Sequence, residues 1–275
     1  MKIPSFAEIS LIIVKRTFHL RFAIAQLTRK SKIMKIIIDS LFFKDDEIRV
    51  IPNNKKININ QKIESEGTEF LPTDVIKEVI RKCDDIVIMN SCVCRTSNKC
   101  KDYPHDIGCI FIGPTSRKIP RALCHEATAE EAIEQIDLAD KAGLSHLIGR
   151  NKIDSFWTNA KPAKGLVTIC HCCPCCCLWK VYPNVEDSIQ ERINRLEGVE
   201  VEVDIDKCNG CEKCIKQECY SHALSIKEGK VHIDQKHCLG CGLCANICNK
   251  GAISISYNDK SIESVIERCY NLIEE

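Results

Sequence analysis

The chain has 275 residues, 39 Lys and Arg against 38 Asp and Glu, and 44% hydrophobic residues. This length suits one large domain or two or three small ones, and the charge balance excludes both a nucleic-acid binder with a global basic field and an acid-rich disordered chain. With 21 cysteines, no export signal and no run of 18 apolar residues, the chain reads as cytoplasmic, its cysteines as metal ligands or redox groups rather than disulfides.

Residues 1–40 form a basic, apolar segment: Lys2, Lys15, Arg16, Arg21, Arg29, Lys30, Lys32 and Lys35 stand against Glu8 and Asp39. A basic amphipathic helix within residues 5–35 can lie on an anionic membrane surface, or dock on its own domain or a partner; Met34 offers an alternative start. Residues 40–70 hold short β-branched runs broken by polar stretches such as Asn53–Lys56. A helix is expected over 74–83, with Val75, Ile76, Val79, Ile80 and Cys83 on one face and Thr73 as N-cap. Ile86–Met89 is a strand candidate that delivers the chain to Cys92. A second helix starts at Thr128, whose Thr-x-x-Glu pattern with Glu131 is a capping box, and ends before Gly143. Residues 162–164 read as a linker, 185–196 as a weaker helix, and the chain closes with an amphipathic helix from Ile262 striped by Val265, Ile266, Cys269 and Ile273.

Eighteen of the cysteines fall into four strings. Cys92, Cys94, Cys100 and Cys109 form the first, and Cys170, Cys172, Cys173, Cys175, Cys176 and Cys177 a dense knot. Cys208, Cys211, Cys214 and Cys219 follow the pattern C-x2-C-x2-C-x4-C, and Cys238, Cys241, Cys244 and Cys248 follow C-x2-C-x2-C-x3-C. Two residues between thiolates let a tight loop aim three of them at one cluster, and thiolates suit iron–sulfur clusters; zinc spacing instead wants two separated pairs. The flanks repeat as well. Val201-Glu-Val203 and Val231-His-Ile233 precede the runs, and His222–Ile226 and Gly251–Ile255 follow them, giving a strand–loop–helix–strand unit twice over about 30 residues.

Residues 199–257 thus resemble bacterial-type ferredoxins with two [4Fe–4S] clusters. The resemblance implies crossed ligation: Cys208, Cys211, Cys214 and Cys248 for one cluster, Cys238, Cys241, Cys244 and Cys219 for the other. Tyr220 and Asn249 stand where that family usually has proline, and the first run is one residue longer before Cys219.

Upstream, Cys92-Val-Cys94-Arg95, Lys99-Cys100, Gly108-Cys109 and Leu166–Trp179, together with Ala129–Ala132 and Ala142–Gly149, resemble a group of uncharacterised iron–sulfur proteins that fuse such a cysteine domain to a dicluster ferredoxin, over about residues 70–257. Ten cysteines can satisfy two four-iron clusters with two to spare, or one cluster and a zinc. Cys92, Cys94, Cys100 and Cys109 are expected to nucleate a site on the loop after the Ile86–Met89 strand, with Arg95 and Lys99 offsetting its negative charge; part of the knot completes that site or holds a neighbouring one. Consecutive cysteines in an extended chain point to opposite sides, so the knot needs a turn, which Pro174 helps supply. Iron is favoured over zinc there for want of two-pair spacing. A disulfide or free-thiol patch, or a redox dithiol, is the rival reading of the knot. Cys83 and Cys269 read as core thiols, Cys124-His125 as structural, and His171 stays open.

The expected fold class is α+β, a ferredoxin-type repeat domain behind a mixed α/β cysteine-rich metal-binding domain. The segments are 1–40, 41–180, a linker helix 181–198, the ferredoxin domain 199–257 and a terminal helix 258–275. No dinucleotide or Walker motif is present. The leading expectation is an anaerobic electron-transfer protein, a polyferredoxin-like relay with two [4Fe–4S] clusters and one or two further clusters, or zinc, upstream, serving redox partner proteins and no nucleic acid. Two alternatives stay open: an oxidoreductase whose upstream cluster or dithiol is the active site, and a metal- or redox-sensing module.

Overall fold

The computed structural model describes residues 5–53, 71–217, 219–257 and 262–274. The β-branched and polar runs from Asn54 to Phe70, and the Ile262 and Val265 side chains of the terminal stripe, lie outside the described residues.

Three helices open the chain in place of one: α1 (Phe6–Thr17), α2 (Arg21–Lys30) and α3 (Lys32–Phe42). Ser5 and Glu8 cap α1 reciprocally, and Ser31 both ends α2 and caps α3 through its hydroxyl. There follow β1 (Glu47–Ile51), α4 (Pro72–Arg81), β2 (Ile86–Met89), α5 (Val93–Ser97), β3 (Ile110–Ile112), β4 (Cys124–Glu126), α6 (Ala129–Lys141), β5 (Ser145–Arg150), α7 (Lys152–Thr158) and β6 (Val167–Cys172). The expected capping box on α6 is present, with Thr128 as N-cap. On α4 the N-cap is Leu71, with Pro72 in the first turn, where its missing N–H costs nothing; Thr73 is inside the helix and bonds Asp140 at 3.2 Å.

The segment expected as a linker helix departs from that reading. It is a 3-10 stretch (Leu178–Asn184), the four-residue α8 (Asp187–Gln190) and β7 (Ile193–Arg195), which pairs in parallel with β1. β7 gains a sheet edge on β1 there in place of a helical turn.

Seven strands form one sheet in the order β4-β2-β3-β6-β5-β1-β7, antiparallel except at β1/β7. Alternation along the strands makes two buried faces. On one, Ile86, Ile88, Ile110, Ile112, Ile148 and Ile169 pack on α4, α6 and α11 (Ile262–Glu274). On the other, Val87, Met89, Phe111, Leu147 and Val50 pack on α1, α2, α3 and α7. Cys170 and Cys172 point to this second face, His171 to the first.

The ferredoxin-type repeat carries β8 (Val199–Val203), α9 (Lys213–Lys216), β9 (Leu224–Lys227), β10 (Lys230–Ile233), α10 (Leu243–Ile247) and β11 (Ile253–Tyr257), with β8 paired to β11 and β9 to β10. The two halves share their backbone irregularities. Gly210 and Gly240 have φ of +67° and +65°, Glu212 and Gly242 +59° and +78°, and His222 and Gly251 +54° and +59°. A Cβ on Gly210 would stand 2.2 Å from the Gly229 carbonyl oxygen, so that turn needs glycine. The apolar residues of this repeat are continuous with the first face of the large sheet. The chain is mixed α/β throughout, with its cysteine-rich region at 100–177 beside the large sheet and the repeat behind it.

Candidate metal centres

In the C-terminal repeat, Cys208, Cys211, Cys214 and Cys248 surround one small cavity of about 20 Å³. Cys219, Cys238, Cys241 and Cys244 surround a second of about 20 Å³, and Cys214 borders both. The positive-φ turns present backbone amides to sulfur: Val231 N–H donates to Cys208 Sγ at 3.5 Å and Ala252 N–H to Cys248 Sγ at 3.3 Å. Such bonds favour the thiolate that a metal requires. Cations brace the loops through carbonyls, Lys230 to Cys208 and Arg195 to Cys238 at 3.0 and 3.2 Å. Burial pushes the Cys241 and Cys238 thiols up, and the neighbouring Cys219 adds to it. Soft donors, converging thiols and N–H···S bonds together fit an iron–sulfur cluster at each cavity. Cys211 is exposed, whereas Pro174, Tyr220 and Leu239 line the second cavity.

The ten upstream cysteines come together across the sequence but not as one set. The chain turns at Pro174–Cys176, as the alternation argument requires. On one side of the turn, Cys100 meets Cys175 at 3.4 Å and Cys175 meets Cys173 at 3.6 Å, with Cys176 beside them. On the other, Cys172 and Cys177 stand 3.1 Å apart and Cys109 and Cys170 3.5 Å, facing a cavity that Cys92 and Cys94 also line and that Cys173 of the first group borders. Cys100 is thereby parted from Cys92, Cys94 and Cys109, its neighbours in the first string.

This cavity is about 300 Å³ in volume; its remaining wall is mostly apolar, with Phe18, Phe43, Trp157 and Trp179 in it, and Arg21, Arg95, Asn151 and Asp154 also border it. A hydrogen bond from Cys94 brings the Cys92 thiol down to about 6, and Arg95 adds to the effect; burial pushes Cys172 up. Arg95 is fully buried and donates to three carbonyls: Pro104 at 2.7 Å, His171 at 2.7 Å and Ile107. Burial works against its charge, and the sulfur atoms of Cys92, Cys173 and Cys109 outweigh it. Lys99, by contrast, is exposed and turns the chain with φ +50°.

Three contributors escaped the sequence reading. Arg21 packs its guanidinium 4.3 Å from the rings of both Phe18 and Phe22 and faces Cys94 and Cys177. Nothing in its helix marks it apart from its basic neighbours. Asp154 lies buried, accepting from Trp157, Thr168 and Asn151, each at 2.9 Å; burial raises it to about 6 against those bonds. Tyr220 is buried with Cys172, Cys177, Leu239 and Leu243, and its hydroxyl has no hydrogen-bond partner among the described residues. Its one signal was its place in the motif, where proline is usual.

On the opposite sheet face, His146 Nδ1 and His171 Nδ1 are 2.9 Å apart and His146 Nε2 lies 3.1 Å from Asp140, a polar bridge between strand and helix. Burial drives His171 well below the ordinary histidine range, and the His146 ring and Arg95 add to it. Cys269 is in the core and Cys83 packs partly buried against it. Cys124 is buried beside the Ile119 and Pro120 carbonyls, and His125 turns outward to Asn90.

The 4Fe-4S binding domain family matches residues 231–254. Curated relatives include a component of the ion-translocating oxidoreductase complex of Methanosarcina acetivorans, 44% identical over 48 residues, or 18% of each chain. The indolepyruvate oxidoreductase subunit IorA of Methanothermobacter marburgensis is 40% identical over 58 residues, 21% of this chain and 9% of its own. An uncharacterized ferredoxin of Methanocaldococcus jannaschii is 31% identical over 67 residues, 24% of this chain and 41% of its own. The chain thus spans less than half the length of each of these relatives. No solved structure matches it. The chain carries a ferredoxin-type 4Fe-4S binding domain near its C-terminus.

Proposed function

We propose that the protein is an electron relay in which a C-terminal dicluster ferredoxin, residues 199–257, is fused to an upstream cysteine domain, residues 41–180, that holds a further iron–sulfur cluster. Cys208, Cys211, Cys214 and Cys248 ligate an outer cluster, and Cys219, Cys238, Cys241 and Cys244 an inner one. The upstream cluster draws four ligands from Cys92, Cys94, Cys109, Cys170, Cys172 and Cys177.

The observation that carries this reading is the junction between the two cysteine systems. Pro174, inside the knot, lines the inner cluster's cavity, and Tyr220, next to Cys219, packs against Cys172 and Cys177. The two thiol sites meet across one shared apolar cluster, which favours electron exchange. Exposed Cys211 at the far end gives redox partner proteins a point of approach. The match to a 4Fe-4S binding domain and the oxidoreductase subunits among the relatives support the same class. The protein's task is to set potentials through charge, N–H···S bonds and solvent access.

The test is anaerobic iron and sulfide counting with potentiometric EPR. About twelve iron atoms and three interacting centres are expected for three four-iron clusters, falling to about eight iron when Cys92 and Cys94 are replaced. A wild-type protein with only eight iron that the replacement leaves unchanged would remove the upstream cluster.

A second reading has its own support. The upstream cavity is about 300 Å³, against about 20 Å³ at each C-terminal site. That leaves room for a small apolar substrate beside the cluster, which would make the domain an oxidoreductase fed by the ferredoxin. Oxidation of the reduced protein by a small substrate without a carrier protein would decide for it.

The opening helices support contact with an anionic membrane surface. Ile33 and Ile36 are 71% and 66% exposed, and Phe6, Ile12 and Leu41 are also bare, among Lys15, Arg16, Lys30 and Lys32. Among the described residues no helix is long and apolar enough to cross a membrane.

A further inference from the structure

We propose that Cys100, Cys173, Cys175 and Cys176 hold a single tetrahedral zinc ion, a site chemically distinct from the iron–sulfur clusters.

The first argument is spacing. All four sulfur atoms lie within 4.8 Å of one another, and the closest contacts are 3.4 and 3.6 Å. Four thiolates about 2.3 Å from one ion at tetrahedral angles stand about 3.8 Å apart. The quartet has the size of a single ion's thiolate shell.

The second argument is the local chain. Cys173-Pro174-Cys175-Cys176 contains a C-x2-C pair, hidden in the sequence by the extra cysteine between its ends. The Cys176 N–H donates to Cys173 Sγ at 3.4 Å, the bond by which a tight turn stabilises an ionised sulfur. Pro174 fixes the turn without adding a competing donor. Cys100 arrives on a loop that is itself held: Asn98 donates to the Cys176 carbonyl at 3.2 Å, and the His105 ring sits 2.7 Å from the Cys100 carbonyl. Four thiolates on a divalent ion leave two negative charges. Lys180, whose ammonium lies 3.5 Å from the Cys175 carbonyl, offsets part of them.

Zinc suits the set because an all-thiolate tetrahedral shell is its closed, structural coordination and asks for no open position or redox change. Its work here is to clip the 94–109 loop to the knot. That fixes Cys109 on one strand of chain and Cys172 and Cys177 on the other, so the neighbouring cavity receives its ligands in register. The assignment does not depend on the iron content of the rest of the chain.

The experiment compares zinc, iron and sulfide in the anaerobically purified full chain and in a Cys100→Ser/Cys175→Ser variant. One zinc per chain is expected in the wild type and none in the variant, with C-terminal iron and sulfide retained. A second measurement covers a variant that folds poorly: wild-type protein grown with cobalt should show the intense visible bands of tetrahedral Co(II)–thiolate, and Cys175→His should shift those bands without abolishing them. Zinc-free wild-type protein that loses iron and sulfide together in the serine variant would overturn the proposal in favour of a cluster. One iron without sulfide at this quartet, or no metal and no cobalt bands in folded wild-type protein, would overturn it too.

Discussion

Tyr220 occupies the proline position of its motif because the space it fills belongs to two modules at once. Its ring packs on Cys172 and Cys177 from the knot and on Leu239 and Leu243 from the repeat. Tyr220→Ala should therefore lower the stability of the holoprotein by about 3–5 kcal/mol, the range for a buried aromatic truncation. Tyr220→Phe should leave it unchanged or raise it by up to about 1 kcal/mol, because a buried unpaired hydroxyl is removed. Anaerobic thermal unfolding of both variants checks this; equal losses would mean the hydroxyl has a partner. Arg95 is the second residue whose loss should be felt widely. Arg95→Met would strand three carbonyls at about 1–3 kcal/mol each and remove the cation beside Cys92. Arg95→Lys cannot reach all three acceptors from one ammonium. Both variants should lose upstream iron while the C-terminal eight remain, as metal analysis would report. The sequence singled out Arg95 together with Lys99 and offered no means to separate them. What separates them is a contact to His171, 76 residues away, and contacts at that range leave no local trace.

Elements with a repeated local cause were readable. The C-x2-C loops, their glycine turns and the flanking alternation specify β8 to β11 within about 60 residues, and Thr128 with Glu131 announces α6. β7 was not readable. It is three residues long, and its partner β1 lies some 140 residues upstream, so its state is set by an available sheet edge rather than by its own pattern. The division of the knot was half legible: alternation demanded a turn, but which thiols each side would meet depends on Cys100 and Cys109 arriving from another loop. The docking of α3 makes a testable case at this scale. Asp39 takes both terminal nitrogens of Arg192, at 2.5 and 3.1 Å, and Arg192 also donates to the Phe43 carbonyl. Asp39→Ala should loosen α3 from the β7 end of the sheet by about 1.5–3 kcal/mol, read as faster amide exchange over residues 32–42 with little change elsewhere.

At the scale of the whole molecule, the repeat is not a bead on a string. Arg195, ahead of β8, braces Cys238, and Asn246 bonds Asn53 at 3.2 Å. A fragment starting at Gly198 would lose that brace and bare Tyr220, Leu239 and Leu243. It should take up about eight iron yet release them in air faster than the full chain; equal rates would mean that the interface adds no protection. The opening helices carry bare apolar side chains. The full chain should co-sediment with anionic vesicles, less so at high salt, and neither with neutral vesicles nor after Ile33→Ser/Ile36→Ser. Sedimentation indifferent to these changes would remove the membrane surface as its partner.

The close thiol pairs carry a liability in handling. Cys172 and Cys177, Cys109 and Cys170, and Cys100 and Cys175 stand 3.1, 3.5 and 3.4 Å apart, already near enough for small side-chain shifts to bond them. A chain stripped of metal in air would fasten each pair with the loss of two hydrogen atoms, and iron and sulfide added afterwards would find the doors bolted. Reconstitution then succeeds only when a reductant precedes the metal, and the intact mass of air-exposed apoprotein, lighter by two daltons for every closed pair, records how far the locking has gone.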